Sequence, residues 1–296
     1  MPNGPELELE AVEVEANGLR FTGLACGRGP LALCAHGFPE TAHTFDRTLR
    51  HLASLGYRAV APNMRGYWPS AVQGIRSFQV VDLADDLCAW AERLSTGGPA
   101  VLVTHDWGAF AAYAAVAMRP ALFRHLVTIG IPPVPIVRRT PGVAWGLRHF
   151  VAFQLRGPTV RRFRTDDFSY VDHIYRRWSP TWSFGPEETA KVKEAFRQGG
   201  CLEAALSYYW HFARPPTADG RRRLQELAAT PTPVPITAVL GSDDGAIKAS
   251  NLRERPDLFP GGLEIAWLQG AGHFAHREKP DEFCQVLTRV LGRAER

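Results

Sequence analysis

The sequence predicts an α/β protein with a mainly parallel, twisted sheet, helices on both faces, and a block of helices inserted late in the chain. Three observations carry this. Short Val- and Leu-rich runs alternate with helical stretches between Leu31 and Ile131. The alternation stops at Ile131-Pro132-Pro133-Val134-Pro135 and resumes after Thr230-Pro231-Thr232-Pro233-Val234-Pro235. The chain has 296 residues, 45% of them hydrophobic, enough for a full core plus an inserted subdomain.

Near the N-terminus, Leu7, Leu9 and Ala11 alternate with Glu6, Glu8 and Glu10, and then Val12 and Val14 alternate with Glu13 and Glu15. Alternation of this kind is a strand with one wet face, and the phase slip near Ala11 predicts a bulge. Asn17-Gly18 offers a hairpin turn into a strand over Leu19–Cys26, giving an antiparallel edge. Leu31–Ala35 is a short buried strand that ends at His36-Gly37-Phe38-Pro39. A helix follows from about Thr44 to Ser54, then a strand over Arg58–Ala61. Ser77 is placed to cap a long amphipathic helix reaching about Leu94. Ala100 to Val103 reads as a strand, Phe110 to Met118 as an Ala-rich helix, and His125 to Ile131 as a strand.

Between the proline clusters the chain is helical and aromatic, with Trp145, Trp178, Trp182 and Trp210. The expected organisation is a first core part over 1–132, a helical cap or lid over 133–232, and a second core part over 233–296. Ile236–Leu240 and Leu263–Leu268 supply the last two strands, and Pro280–Leu291 the closing helix.

A net charge of +4 is too small to argue for nucleic acid, and the Arg-rich stretch from Arg138 to Arg177 reads as a solvated basic face. Five scattered Cys (Cys26, Cys34, Cys88, Cys201 and Cys284) show no CxxC or metal spacing, which points to reduced thiols and a cytoplasmic protein. The acidic N-terminus is not a secretory signal, and no apolar run is long enough to span a bilayer. No cofactor or metal is expected.

The chemistry centres on Thr104-His105-Asp106-Trp107-Gly108-Ala109, between a strand and a helix. Small residues there let the strand turn sharply and push one side chain out of the turn, the shape of a nucleophile elbow bearing a carboxylate. An Asp that merely caps the following helix is the alternative from this stretch alone. Two later strands end in Gly241-Ser242-Asp243-Asp244-Gly245 and in Gln269-Gly270-Ala271-Gly272-His273-Phe274. Ligands collect at the carboxyl ends of strands in open α/β sheets, so Asp106, an Asp of the 243–244 pair and His273 should converge. Their order, nucleophile then acid then His, is that of a hydrolytic triad.

These motifs, together with His36-Gly37-Phe38-Pro39-Glu40 and Pro62-Asn63-Met64-Arg65-Gly66-Tyr67, make nearly the whole chain resemble the α/β-hydrolase family, in its epoxide hydrolase and haloalkane dehalogenase branch. Two positions depart from the pattern: Thr104 where Gly is usual, and Trp68 where Gly usually follows Arg-Gly-Tyr. The resemblance implies Asp106 as nucleophile, His273 as base and Asp244 as the acid that orients it, with Asp243 the fallback. It also implies an oxyanion hole made by the backbone N–H groups of Phe38 and Trp107. A carboxylate attacking sp³ carbon leaves an ester, which water then hydrolyses. His105 is expected to be structural, and His276 to lie behind the site or at the surface.

The branch divides on how the leaving group is stabilised. In Cys201–Ala213, Leu202, Ala205, Leu206, Tyr209 and Phe212 share one helical face, so Tyr209 points inward and Tyr208 about 100° away. Ala205-Leu206-Ser207-Tyr208-Tyr209-Trp210 resembles the cap tyrosine motif of epoxide hydrolases, with Trp210 in place of a frequent Arg. In His149-Phe150-Val151-Ala152-Phe153-Gln154, His149 stands where a second cap tyrosine is usual, a pairing seen in a subclass of these enzymes. The expected function is hydrolysis of an apolar epoxide to a diol, with Tyr209 and His149 protonating the alkoxide and Phe38, Trp107, Phe153 and Trp178 lining the substrate pocket. The expected partners are that epoxide and water, with no nucleic acid and no membrane, in a monomer or homodimer. The alternatives are a haloalkane dehalogenase using the same triad, in which Trp107 and a cap Trp hold the halide, and a ligand-binding protein without catalysis.

Overall fold

The computed structural model describes residues 7–138, 140–247 and 252–292. Strands β1 (Glu10–Ala16), β2 (Leu19–Cys26), β3 (Leu31–Ala35), β4 (Arg58–Pro62), β5 (Ala100–His105), β6 (Phe123–Ile129), β7 (Ile236–Gly241) and β8 (Leu263–Leu268) form one sheet in the order β1-β2-β4-β3-β5-β6-β7-β8. β1 and β2 pair antiparallel, as do β2 and β4, and every pairing from β4 through β8 is parallel.

The hairpin turns on Asn17 and Gly18, both at positive φ. The expected bulge near Ala11 is absent: β1 and β2 keep an unbroken register from Glu10↔Ala25 to Ala16↔Leu19. The strand begins only at Glu10, so Leu7 and Leu9 lie outside the ladder and their phase constrains nothing.

Helices α1 (Asp46–Ser54), α2 (Val80–Leu94), α3 (Trp107–Met118), α11 (Ala275–Glu278) and α12 (Pro280–Leu291) accompany the sheet. The two-residue period of the strands sorts their side chains to opposite faces. Leu33 and Leu102 join the apolar layer of α2 and α3 around Leu83, Leu87 and Trp90. Cys34, Val101 and Val103 join the layer of α1 and α12 around Leu49, Leu52, Phe283 and Leu287. The α3 sequence, WGAFAAYAAVAM, carries no polar stripe because the helix is enclosed almost all round. Ser77 does not cap α2. Gln79 takes that place in a capping box with Asp82, and the Ser77 hydroxyl donates to Asp82 at 2.5 Å.

Between β6 and β7 run α4 (Pro141–Gly146), α5 (Arg148–Ala152), α6 (Arg156–Arg164), α7 (Ser169–Trp178), α8 (Glu187–Arg197), α9 (Cys201–Ala213) and α10 (Ala218–Ala229). Phe153, Phe163, Trp178, Phe196 and Tyr209 from this stretch all pack on Phe38, at the carboxyl end of β3. Among the described residues no helix is long and apolar enough to cross a membrane.

Candidate active site

The elbow follows from two close approaches. A Cβ on Gly108 would sit 2.2 Å from the Ala35 carbonyl oxygen, and one on Gly37 would sit 2.3 Å from Asp106 Cβ. Only residues without a side chain let α3 start this close to β3 and let the loop after β3 cross the Asp106 side chain. Asp106 itself has φ 49° and ψ −116°, a conformation that costs a non-glycine residue about 1–3 kcal/mol. Its side chain makes no capping bond to α3, so a mere helix cap does not account for it. The carboxylate instead accepts the Phe38 N–H at Oδ1, 2.8 Å away.

The loop that presents Phe38 is pinned from behind. His36 donates from Nδ1 to the Gly37 carbonyl at 2.9 Å and accepts the Met64 N–H at Nε2, 3.0 Å. Burial lowers its pKa to about 4, consistent with the neutral ring this pattern requires.

The strand ends bring the other partners in. His273 Nδ1 donates to Asp244 Oδ2 at 2.9 Å, and His273 Nε2 faces Asp106 Oδ2 at 3.6 Å. Asp244 Oδ1 accepts the N–H groups of Ala246 and Ile247 at 2.7 and 2.8 Å, which fixes the carboxylate. Asp244 is therefore the residue that reaches His273. Asp243 is held instead near Ser242, with its N–H on the Ala271 carbonyl. Burial depresses the His273 pKa, but the carboxylates of Asp244 and Asp106 on its two sides outweigh burial and raise it to about 10.

Tyr209 and Trp107 close the site from above, with ring centroids 5.0 Å apart. The buried Tyr209 hydroxyl, the indole N–H groups of Trp107 and Trp178, and His273 Nε2 have no hydrogen-bond partner among the described residues. Buried polar atoms are nearly always paired, so this concentration beside one strained carboxylate stands out. Phe153 packs edge-on against Tyr209 at 5.0 Å and Trp178 against His273 at 5.1 Å, so both border the same space.

The surroundings of His149 bear on the role expected of it. The residue is buried beside Tyr209, but its Nδ1 donates to the Gly146 carbonyl at 3.1 Å. Burial and then the Arg177 charge lower its pKa to about 3. A neutral ring bonded this way carries a lone pair at Nε2.

Sequence reasoning gave Glu40 no role. The structure puts it under the site, where it accepts from His105 Nδ1 at 2.5 Å, from the Thr44 hydroxyl, and from the Gly37 N–H at 3.3 Å. His105 Nε2 in turn donates to the His273 carbonyl at 3.0 Å. Burial works against ionisation of Glu40, but the charges and hydrogen bond of the neighbouring His105 overcome it and hold the carboxyl well below its usual range. His276 is buried in the same group. Ligand atoms of Glu40, His105 and His276 lie within 4.8 Å of one another, but both nitrogens of His105 are already committed. The sequence signal for Glu40 was its fixed place at the end of His36-Gly37-Phe38-Pro39-Glu40.

Comparison with known proteins agrees with this arrangement. The profile described as alpha/beta hydrolase fold matches residues 30–280. The AB hydrolase superfamily protein YfhM of Bacillus subtilis is 28% identical, over 94% of this chain and 96% of its own. Epoxide hydrolase 1 of Siraitia grosvenorii is 31% identical, over 95% of this chain and 97% of its own. The crystal structure of an epoxide hydrolase from Vigna radiata superposes with a TM-score of 0.80 at 22% identity, covering 96% of this chain and 98% of that one. With the elbow, the strand-end loops and these likenesses together, the chain belongs to the α/β-hydrolase fold family, in the branch that holds the epoxide hydrolases, and is a hydrolase.

Proposed function

We propose that this hydrolase opens an apolar epoxide to a vicinal diol through an ester on Asp106, under a helical cap formed by residues 133–232. The observation that carries the reading is one carboxylate on a strained elbow, bonded by the Phe38 N–H on one oxygen and faced by His273 on the other, with an unpaired Tyr209 hydroxyl in the same enclosure.

Asp106 attacks an epoxide carbon, the C–O bond breaks, and the oxygen takes the Tyr209 proton. The ester has no charge. One of the two carboxylates that held His273 protonated has then gone, and its imidazolium gives up a proton that restores Tyr209. Neutral His273 takes a proton from water, and the hydroxide adds to the ester carbonyl. The N–H groups of Phe38 and Trp107 stabilise the resulting oxyanion, each such donor contributing about 10²–10³ in rate. Collapse releases the diol, with the His273 proton going to the leaving oxygen, and the Asp106 carboxylic acid left behind passes its proton to His273, which restores the carboxylate and the imidazolium. Asp244 keeps the imidazole turned toward Asp106 throughout. His149, with a lone pair at Nε2, contributes a polar wall beside Tyr209 and not the transferred proton.

Dehalogenation is the second reading, supported by the unpaired indole N–H groups of Trp107 and Trp178, which are donors suited to a halide. The deciding experiment is intact mass of a His273→Ala variant after exposure to a panel of apolar epoxides and bromoalkanes, beside diol and halide assays on the unmodified protein. An adduct of full epoxide mass on Asp106 is expected. An adduct from bromoalkanes alone would favour dehalogenation, and no adduct from any compound would overturn covalent catalysis.

A further inference from the structure

The three most exposed large hydrophobic side chains among the described residues are Val151, Trp145 and Leu155, at 75%, 66% and 64%. All three lie on α4, α5 and the turn that follows. Single exposed apolar residues are ordinary, but a cluster of them marks a contact surface. This cluster has a helical origin. The Leu147 N–H bonds the Val143 carbonyl and the Phe153 N–H bonds the His149 carbonyl, so α4 and α5 follow one another with only Leu147 between them. Val143, Gly146, His149 and Phe153 are the buried positions, at steps of three and four. Trp145, Arg148, Ala152 and Leu155 take the complementary steps, and all but the half-buried Arg148 are exposed. A helical stretch apolar on nearly every side is ordinarily enclosed, whereas here the inner side is covered and the outer side meets solvent.

The same face is positive. No Asp or Glu occurs between Asp106 and Asp166, while seven Arg fall between Arg138 and Arg164. Carboxylates of the following helices are taken: Asp167 pairs with Arg197, Asp172 with Lys193 and Glu203 with Arg164. Arg148 lies instead over the Trp145 ring, 4.4 Å from its centroid, and Arg156 over that of Trp210, at 4.5 Å. Partial burial, and then the charges of Arg162, Arg177, Arg176 and Arg148, lower the pKa of His173, so α5, α6 and α7 direct guanidinium groups into one region.

We propose that this face docks on an anionic lipid surface, with Trp145, Val151 and Leu155 entering the acyl boundary and Arg148 and Arg156 meeting the headgroup phosphates. Each arginine near such a surface contributes roughly fivefold in affinity, and an indole with a cation over it suits the boundary, ring below and charge at headgroup level. A second copy of the chain fits poorly, because a two-fold contact through this face sets Arg148 and Arg156 against their own counterparts. The absence of a spanning run, which argued against a membrane partner, has no bearing on a surface contact of this kind. His149 and Phe153, on the inner side of the same stretch, pack on Tyr209 at 5.7 and 5.0 Å between ring centroids. The docked face is therefore separated from the candidate active site by about one helix diameter, roughly 10 Å. Docking does not depend on which bond Asp106 breaks.

The test is co-sedimentation of the unmodified protein with vesicles of phosphatidylcholine alone and of a phosphatidylcholine–phosphatidylserine mixture, at low and at high salt. Binding to the mixture should be at least about tenfold tighter at low salt, and the difference should disappear at high salt. Arg148→Gln combined with Arg156→Gln should weaken binding to the mixture by roughly 25-fold. Trp145→Ser combined with Val151→Ser and Leu155→Ser should weaken it by at least about tenfold, with the thermal midpoint of each variant reporting that it folds. No binding of the unmodified protein to the mixture, or binding that survives either set of substitutions, would overturn the docking surface. So would self-association of the unmodified protein that the serine variant loses while vesicle binding stays the same.

Discussion

Two groups of buried polar residues meet at His273, and they are built on opposite principles. Beneath it, Glu40, His105 and Thr44 commit their polar atoms to one another and to backbone, and His105 ends on the His273 carbonyl. In front of it, Tyr209, Trp107 and Trp178 hold polar atoms with no hydrogen-bond partner among the described residues, and His273 Nε2 faces only the Asp106 carboxylate, at 3.6 Å. A satisfied buried network stabilises and orients, whereas an unsatisfied one costs stability until a ligand arrives. The contrast divides two equally buried groups by how their hydrogen bonds are spent, although His276 Nδ1, in the lower group, also has no partner among the described residues.

Adjacent tyrosines on α9 repeat the contrast. The Tyr208 hydroxyl donates to the Arg65 carbonyl at 2.7 Å, in the loop that Arg65 anchors by a paired contact with Asp86 at 2.6 and 2.7 Å. The Tyr209 hydroxyl donates to no group among the described residues. Burial raises the pKa of both well above the ordinary tyrosine value, so both keep their protons, and only one is free to give its proton away.

The sharpest way to break this comparison is Asp106→Gly. Turnover should fall by about 10⁴-fold or more, while the thermal midpoint does not fall, because glycine relieves the positive φ. A large loss of stability would show that Asp106 supports the fold as Glu40 does. Glu40→Ala strips partners from His105, Thr44 and the Gly37 N–H, and should cost about 3 kcal/mol or more in denaturant unfolding. Tyr209→Phe should lower kcat by about 10²-fold or more with stability unchanged, measured as diol formation and thermal midpoint. Tyr208→Phe should do the reverse, costing about 1 kcal/mol of stability and leaving kcat within about twofold. The pH dependence is the finest test. His149, held near 3, stays neutral in the folded protein, whereas in the unfolded chain it takes up a proton below about 6.5. Stability therefore falls as pH drops through that window, by at most about 1.4 kcal/mol per unit from this residue. His149→Phe should flatten that limb of the stability curve.

What was legible in advance was local. The hairpin at Asn17-Gly18, the buried strand Leu31–Ala35, the last strand Leu263–Leu268 and the closing helix Pro280–Leu291 all stand where periodicity and turn chemistry put them. The cap of α2 was misplaced by two residues because Ser77 and Gln79 both offer a side chain to the same turn, and Asp82 decides between them. The bulge near Ala11 was inferred from a phase set by Leu7 and Leu9, which lie outside the strand. Phe153 and Trp178, far apart in sequence, both pack on the ring of Phe38, whose backbone N–H donates to Asp106.

The sequence by itself determined the order of elements, the sharp turn at Asp106 and the strand-end loops carrying Asp244 and His273, because hydrophobic period and small residues at a turn act over a few neighbours. The tertiary structure alone decided how the hydrogen bonds are spent. It bonded Asp244 to His273, as the sequence reading had preferred, directed the His149 Nδ1 proton to the Gly146 carbonyl, left Tyr209 free where Tyr208 is bound, and placed Glu40 beneath His105. Most of those choices depend on which polar groups are buried together across long separations in the chain, and no local pattern encodes that.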